Sequence, residues 1–279
     1  MDNKITIPYI TAQKGKAKIT MVTAYDYITA RLAETAGIDI ILVGDSMANV
    51  VYGHATTLQL ELCDMIKHTR IVSDHIKGPL LVADMTFGSF HINTDKTVEN
   101  AVSLMKYGRA EAVKLEGGTR SKLLAIEKLT EHSIPVMGHI GLTPQSVHSF
   151  GGYSVRGKSL NEAKSIYNQA KDIEKAGAFS IVLEGIPSEL SRLITENISI
   201  PTIGIGAGID CDGQVLVIHD LLGLTDKPVP RFVKKYDNLW ERGLKALESY
   251  ISDVRNSRFP EKEHCYFIKN LDINQIKEK

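Results

Sequence analysis

The chain has 279 residues, 43% of them hydrophobic and 24% charged, with 33 Lys plus Arg against 33 Asp plus Glu. That composition belongs to a globular protein large enough to need no disulfide or metal staple, and the balanced charge gives no footing for nucleic acid or another polyanion. Cys63, Cys211 and Cys265 are too far apart for a disulfide framework or a zinc spacing, the N-terminus lacks a signal-peptide core, and no apolar run can span a bilayer, so a cytoplasmic protein without membrane contact is expected.

Short β-rich runs alternate with helical patterns along the chain. "KITMVTAYD" (18–26) and "IDIILVGDS" (38–46) come first, with helical stretches at 28–36 and 60–76. "PLLVADMT" (79–86) leads to a helix at 94–107, for which Thr94 is the expected cap. "AVKLEGG" (112–118), a helix at 119–131 and "PVMGHIG" (135–141) follow, and "GGYSVRG" (151–157) reads as a loop. Ser159 and Gly177 bracket a helix at 160–175. "FSIVLEG" (179–185), a helix at 187–197, "PTIGIGAG" (201–208) and "QVLVIHDLLG" (214–223) complete the series, before an amphipathic helix at 236–258.

Near-continuous apolar strands between helices imply a parallel sheet covered on both faces. Eight units of this kind predict an α/β fold, a single (β/α)8 TIM barrel over residues 1–267 with a C-terminal helix, followed by a polar tail at 268–279. The seventh and eighth strands lie too close in sequence for a helix between them.

The barrel reading predicts where chemistry sits, because active sites in this class gather at the C-terminal ends of the strands. Asp45 and Ser46 end the second strand, Asp84 the third, Lys114 and Glu116 the fourth, His139 the fifth and Glu184 the sixth. Lys114 and Glu116 are two residues apart and share a face; Val113 and Leu115 share the other. The charged face is expected to look into the barrel mouth. Taken singly, each residue has a structural reading: an Asp as a turn cap, a Lys–Glu pair as a buried ion pair, a His as a hydrogen-bonded core residue. Together, Asp45, Asp84 and Glu116 would repel one another without a cation, and an all-oxygen set suits a hard ion such as Mg2+. "GIGAG" (204–208) reads either as a phosphate cradle or as close backbone packing, and packing is favoured because no Lys or Arg adjoins it.

"MVTAYD", "LVGDS", "VADMTFGSF", "AVKLEGG", "GHIGLTPQSV" and "GIGAG" resemble the ketopantoate hydroxymethyltransferase family from about residue 5 to about residue 267. The family usually carries a proline where this chain has Thr86. The resemblance implies a barrel of the phosphoenolpyruvate/pyruvate-binding type and a cytoplasmic homo-oligomer, a decamer built as a pentamer of dimers. It implies transfer of a one-carbon unit from 5,10-methylenetetrahydrofolate to 3-methyl-2-oxobutanoate, giving 2-dehydropantoate and tetrahydrofolate in pantothenate biosynthesis. By the same resemblance Asp45, Asp84 and Glu116 hold one Mg2+ per subunit, Asp45, Ser46, Asp84 and Lys114 bind the keto acid, Glu184 is the general base, and Lys114 and His139 assist. A Mg2+-dependent lyase or mutase of the isocitrate lyase or phosphoenolpyruvate mutase type is the alternative, because it also works through an enolate.

Overall fold

A computed structural model describes residues 4–269 together with Ile273 and Ile276. In chain order the elements are α1 (Ile7–Ala12), β1 (Ile19–Thr23), α2 (Tyr27–Thr35), β2 (Ile40–Val43), α3 (Met47–Val50), α4 (Leu62–Ser73), β3 (Leu80–Asp84), α5 (Thr94–Lys106), β4 (Ala112–Glu116), α6 (Arg120–Glu131), β5 (Val136–Gly141), α7 (Val147–Phe150), α8 (Leu160–Lys175), β6 (Ser180–Glu184), α9 (Ser188–Asn197), β7 (Thr202–Ile205), β8 (Gly213–Leu216), α10 (Ile218–Leu222) and α11 (Leu239–Arg255). The eight strands pair in sequence order, all parallel, and β8 closes on β1. The expected tail at 268–279 lies mostly outside the described residues. Among the described residues, no helix is long and apolar enough to cross a membrane.

Side-chain alternation builds two cores. Residues such as Ile41, Leu81, Val113, Leu115, Ile181 and Leu183 point outward and pack against the helices. Ile40, Leu42, Leu80, Val82, Met137 and Val182 point inward and fill the barrel. Each fully buried aliphatic side chain of this kind contributes about 1.5–3 kcal/mol. Ile10 of α1 joins the inner cluster at the N-terminal end of the barrel. The sequence reading missed this six-residue helix, although Thr6 caps it and Pro8 stands in its first turn.

Other boundaries also moved. The cap of α5 is Asn93, not Thr94: the Asn93 Oδ1 accepts the Lys96 N–H at 2.7 Å. The expected last strand at 214–223 stops at Leu216, and its second half folds as α10, ended by Gly223 in the left-handed region (φ 64°). Between β7 and β8 there is only a loop, as expected. The helix at 236–258 is α11, which buries none of its residues.

Candidate active site

Along β3, β4 and β5 the inward face changes from apolar to charged toward the C-terminal end. On β3 the order is Leu80, Val82, Asp84; on β4 it is Ala112, Lys114, Glu116; on β5 it is Met137, His139. Parallel register sets Asp84 beside Lys114 and Glu116 beside His139. The charges on β4 therefore belong to neighbours on β3 and β5, while Val113 and Leu115 belong to the outer core. All seven residues singled out from the sequence line one cavity of about 1840 Å3 at this end of the barrel: Asp45, Ser46, Asp84, Lys114, Glu116, His139 and Glu184.

Lys114 Nζ lies 2.9 Å from Asp84 Oδ1, both side chains being almost wholly buried. Asp84 Oδ2 accepts the Asp45 N–H at 2.9 Å, which fixes the turn that ends β2. His139 bridges two carboxylates, with Nδ1 3.4 Å from Glu116 Oε1 and Nε2 3.1 Å from Glu184 Oε2. Ser46 Oγ lies 2.8 Å from the hydroxyl of the fully buried Tyr25. Burial pushes the Tyr25 hydroxyl well above its ordinary pKa, so it stays protonated and holds Ser46 as a neutral partner.

The charges tune one another. Burial, then Glu116 and Asp84, push Asp45 up to about 8, against the pull of Lys114 and Gln145. Burial also raises Asp84, partly offset by Lys114 and the Asp45 N–H. Burial opposes the charge on Lys114, yet Asp84, Glu116 and Asp45 outweigh it and hold the ammonium above its ordinary value. Burial would raise Glu116 too, but His139, Lys114 and the Gln145 N–H take it below the usual carboxylate range. Burial and Lys114 disfavour a charge on His139, whose Nδ1 is 3.3 Å from Nζ; Glu116 and Glu184 outweigh them and bring the ring up to about 9.

The residues present fit a hard divalent cation. Four carboxylates face one ammonium and one imidazolium, an excess of two negative charges when all are ionised. Asp84 Oδ1 and Glu116 Oε1 are buried acceptors outside good hydrogen-bond geometry, despite their nearby cations. Among the described residues no group of three His, Cys, Asp or Glu converges as a ready-made cage. Asp45 and Asp84 are linked through the backbone, whereas Glu116 is turned toward His139 and Gln145. One or two carboxylates, completed by substrate and solvent oxygens, is the usual way Mg2+ is bound.

The remaining motifs have local explanations. A Cβ on Gly206 would come within 2.7 Å of Phe232, and one on Gly208 within 2.4 Å of Ser188, so "GIGAG" is a tightly packed rim and not a cradle. The loop 151–157 reaches the barrel mouth, where Tyr153, Ser154 and Val155 line the cavity. Gly151 and Gly152 have positive φ and open space around them, so they serve backbone shape and not packing. Thr86, where the resemblance leads one to expect a proline, is buried, and its carbonyl accepts both the N–H and the hydroxyl of Ser89, which stiffens the turn after Asp84. Among the polar residues that escaped the sequence reading are Tyr25 and Gln145, which stand behind Ser46 and Asp45. The turn signal "TP" before Gln145 was visible; the contact with Asp45, 100 residues away, was not.

The sequence profile described as Ketopantoate hydroxymethyltransferase matches residues 4–262. A protein named 3-methyl-2-oxobutanoate hydroxymethyltransferase from Enterococcus faecalis is 52% identical over 259 residues, 93% of this chain and 94% of that protein. One of the same name from Syntrophobacter fumaroxidans is 48% identical over 276 residues, 99% of this chain and 98% of that protein. Among solved structures, 2,3-dimethylmalate lyase, a PEP mutase/isocitrate lyase superfamily member, is similar with a TM-score of 0.58 at 15% identity, covering 96% of this chain and 90% of that one. Phosphonopyruvate hydrolase in complex with oxalate and Mg2+ reaches 0.60 at 12% identity, covering 92% of each chain. At such identities the structural likeness speaks for the barrel alone.

Proposed function

Because the chain belongs to the ketopantoate hydroxymethyltransferase family, enzymes that transfer a hydroxymethyl group, we propose that it moves the one-carbon unit of 5,10-methylenetetrahydrofolate onto 3-methyl-2-oxobutanoate. The products are 2-dehydropantoate, a pantothenate precursor, and tetrahydrofolate, with water supplying the new hydroxyl oxygen. The observation that carries this reading is the His139 ring, which joins Glu184 to the cluster of Lys114, Asp84 and Glu116 in one cavity. Deprotonation next to a carbonyl needs a base on one side of the substrate and fixed positive charge on the other.

Ser46, held by Tyr25, donates to the substrate carboxylate. Lys114, kept protonated by its carboxylate neighbours, lies where enolate charge develops on the keto oxygen. Glu184 takes the C3 proton, and His139 beside it steadies the carboxylate before transfer. Asp45 and Asp84 would hold Mg2+, with Glu116 reaching it directly or through water. The ion would supply Lewis-acid polarisation of the carbonyl. The enolate carbon then bonds to the folate-borne methylene carbon as one of its two C–N bonds breaks, and replacement of the remaining C–N bond by water leaves the hydroxymethyl group and releases tetrahydrofolate; holding the two substrates together supplies much of the rate. The cavity is far larger than a five-carbon keto acid and leaves room for a second substrate. The test is an assay with keto acid, methylenetetrahydrofolate and Mg2+, each omitted in turn, with the product identified by NMR. Turnover without the folate would favour the lyase or mutase alternative, which otherwise has only the barrel likeness behind it.

Cytoplasmic residence and assembly as a homodecamer are part of this proposal. Three free thiols suit a reducing compartment. The exposed apolar side chains of α11, among them Trp240, Leu244, Leu247 and Tyr250, suit a helix covered by another copy of the chain. Light scattering across a concentration series measures that assembly.

A further inference from the structure

Gln145 occupies a place that the reaction as described does not use. It lies in the tight turn Pro144–Ser146 that follows β5 and is 6% exposed. Its backbone N–H donates to Glu116 Oε2 at 3.0 Å. Its side-chain Nε2 donates to Asp45 Oδ2 at 3.0 Å and to the Met85 carbonyl at 2.9 Å. One residue thus ties together the ends of β2 and β4 and the backbone just beyond β3.

The amide can face only one way. Both Nε2 protons are engaged by oxygens, and a flipped amide would set Oε1 against a carboxylate and a carbonyl, two acceptors. Oε1 has no hydrogen-bond donor among the described residues. An unfilled buried acceptor works against stability, so packing alone gives no reason for an amide here. The donor side explains it: Asp45 and Glu116 repel each other across the site, and Gln145 gives each of them a hydrogen bond at a fixed angle.

We propose that Gln145 is a positioning residue, which anchors Asp45 through one carboxylate oxygen and Glu116 through the backbone so that both are presented to a divalent cation and its keto-acid ligand. This rests on the reading of the site given above. Side chains that orient metal-binding carboxylates change affinity or activity by about 10–100-fold when removed.

The test compares wild type with Gln145→Leu, which keeps the volume and the backbone N–H to Glu116 but removes the side-chain donors to Asp45 and the Met85 carbonyl, and Gln145→Asn, which keeps the amide one methylene short of Asp45. Mg2+ affinity is measured by calorimetry on protein shown to be folded by circular dichroism, alongside kcat and the KM of each substrate. The expected result is at least a tenfold weaker Mg2+ affinity and a tenfold lower kcat in both variants, with the KM for the folate within twofold. A purely structural residue would lower the melting temperature and leave the cation affinity of the folded protein alone. Wild-type affinity in both variants overturns the proposal. Should Gln145→Leu fail to fold, Gln145→Asn decides. Should wild type itself bind no Mg2+, the metal reading falls, and an unchanged kcat in the variants then overturns the role of Gln145 separately.

Discussion

His139 Nε2 lies 3.1 Å from Glu184 Oε2, and the opposite nitrogen of the same ring lies 3.4 Å from Glu116 Oε1. A single side chain on β5 therefore connects the candidate base on β6 with the charge cluster on β3 and β4. Replacing it by glutamine keeps a polar group of similar reach and removes the positive charge that both carboxylates face. His139→Gln should lower kcat by about 10²-fold, the low end for a group that assists proton transfer. A variant within twofold of wild type in a steady-state assay would reduce His139 to a packing role.

Glu184→Gln separates proton removal from carbon–carbon bond formation. Wild type should exchange the C3 proton of the keto acid with deuterated water without any folate. In the variant, exchange and turnover should fall together, by about 10²–10⁴-fold. The measurement is the decay of the C3 proton signal by NMR. Normal exchange with lost turnover would move the base elsewhere, His139 being next in line.

Lys114→Met keeps the length of the side chain and removes its charge. The enolate carries more charge on oxygen than the ketone does, so kcat should suffer more than KM, by about 10²–10³-fold, as for loss of an oxyanion donor. Equal effects on kcat and KM, or none, would speak against a role in stabilising the enolate.

Asp212, just before β8, tests the foundation of the barrel. It is buried and accepts from Lys14 Nζ at 2.8 Å, from Gly15 N at 3.1 Å, and from Thr202 N and Oγ1 at 2.9 and 3.1 Å. Burial pushes its pKa up, but Lys14 and these N–H donors hold it below the usual carboxylate range. Its stabilisation is therefore complete above the unfolded value of about 4 and is lost as pH falls through the lower folded value. Asp212→Asn should cost about 2 kcal/mol in urea denaturation at pH 7. The gap to wild type should close below pH 4, and a gap independent of pH would sink the assignment.

Gly206 tests the packed rim. Its φ is +62°, and a Cβ would meet Phe232 at 2.7 Å. Gly206→Ala should cost about 2–3 kcal/mol, part from left-handed backbone and part from displacing the ring. In a Phe232→Ala background the cost should drop to about 1–2 kcal/mol, the backbone share. A double-mutant cycle with no coupling would show that the ring yields freely.

What could be read from the sequence follows from the range of the physics involved. The charges of β4 were legible because strand side chains alternate strictly, so Lys114 and Glu116 had to share a face. Strand-end residues were legible because the barrel fixes where strand ends go. Tyr25 and Gln145 were not: their roles rest on partners 21 and 100 residues away, and a neutral side chain leaves no charge pattern to notice. The run "QVLVIHDLL" is apolar at both periods, so its change from β8 to α10 could not be placed without the tertiary context. The glycines of "GIGAG" answer to Phe232 and Ser188, which no local rule connects to them.

The charged layer above the apolar barrel core also shapes how this chain can change over generations. Exchanging buried ionic groups together for well-packed aliphatic ones is often neutral, or stabilising by about 1–4 kcal/mol, so a more robust and inert barrel lies close by in sequence. The route there is blocked step by step. Losing Lys114 alone strands Asp84, at about 3–5 kcal/mol for the unpaired buried charge, and losing Asp84 alone takes from Lys114 its one direct ion pair. Single substitutions must cross a valley that only a concerted change avoids. The mutual dependence of these side chains thus shields the site from gradual erosion, even under a pressure that rewards stability alone.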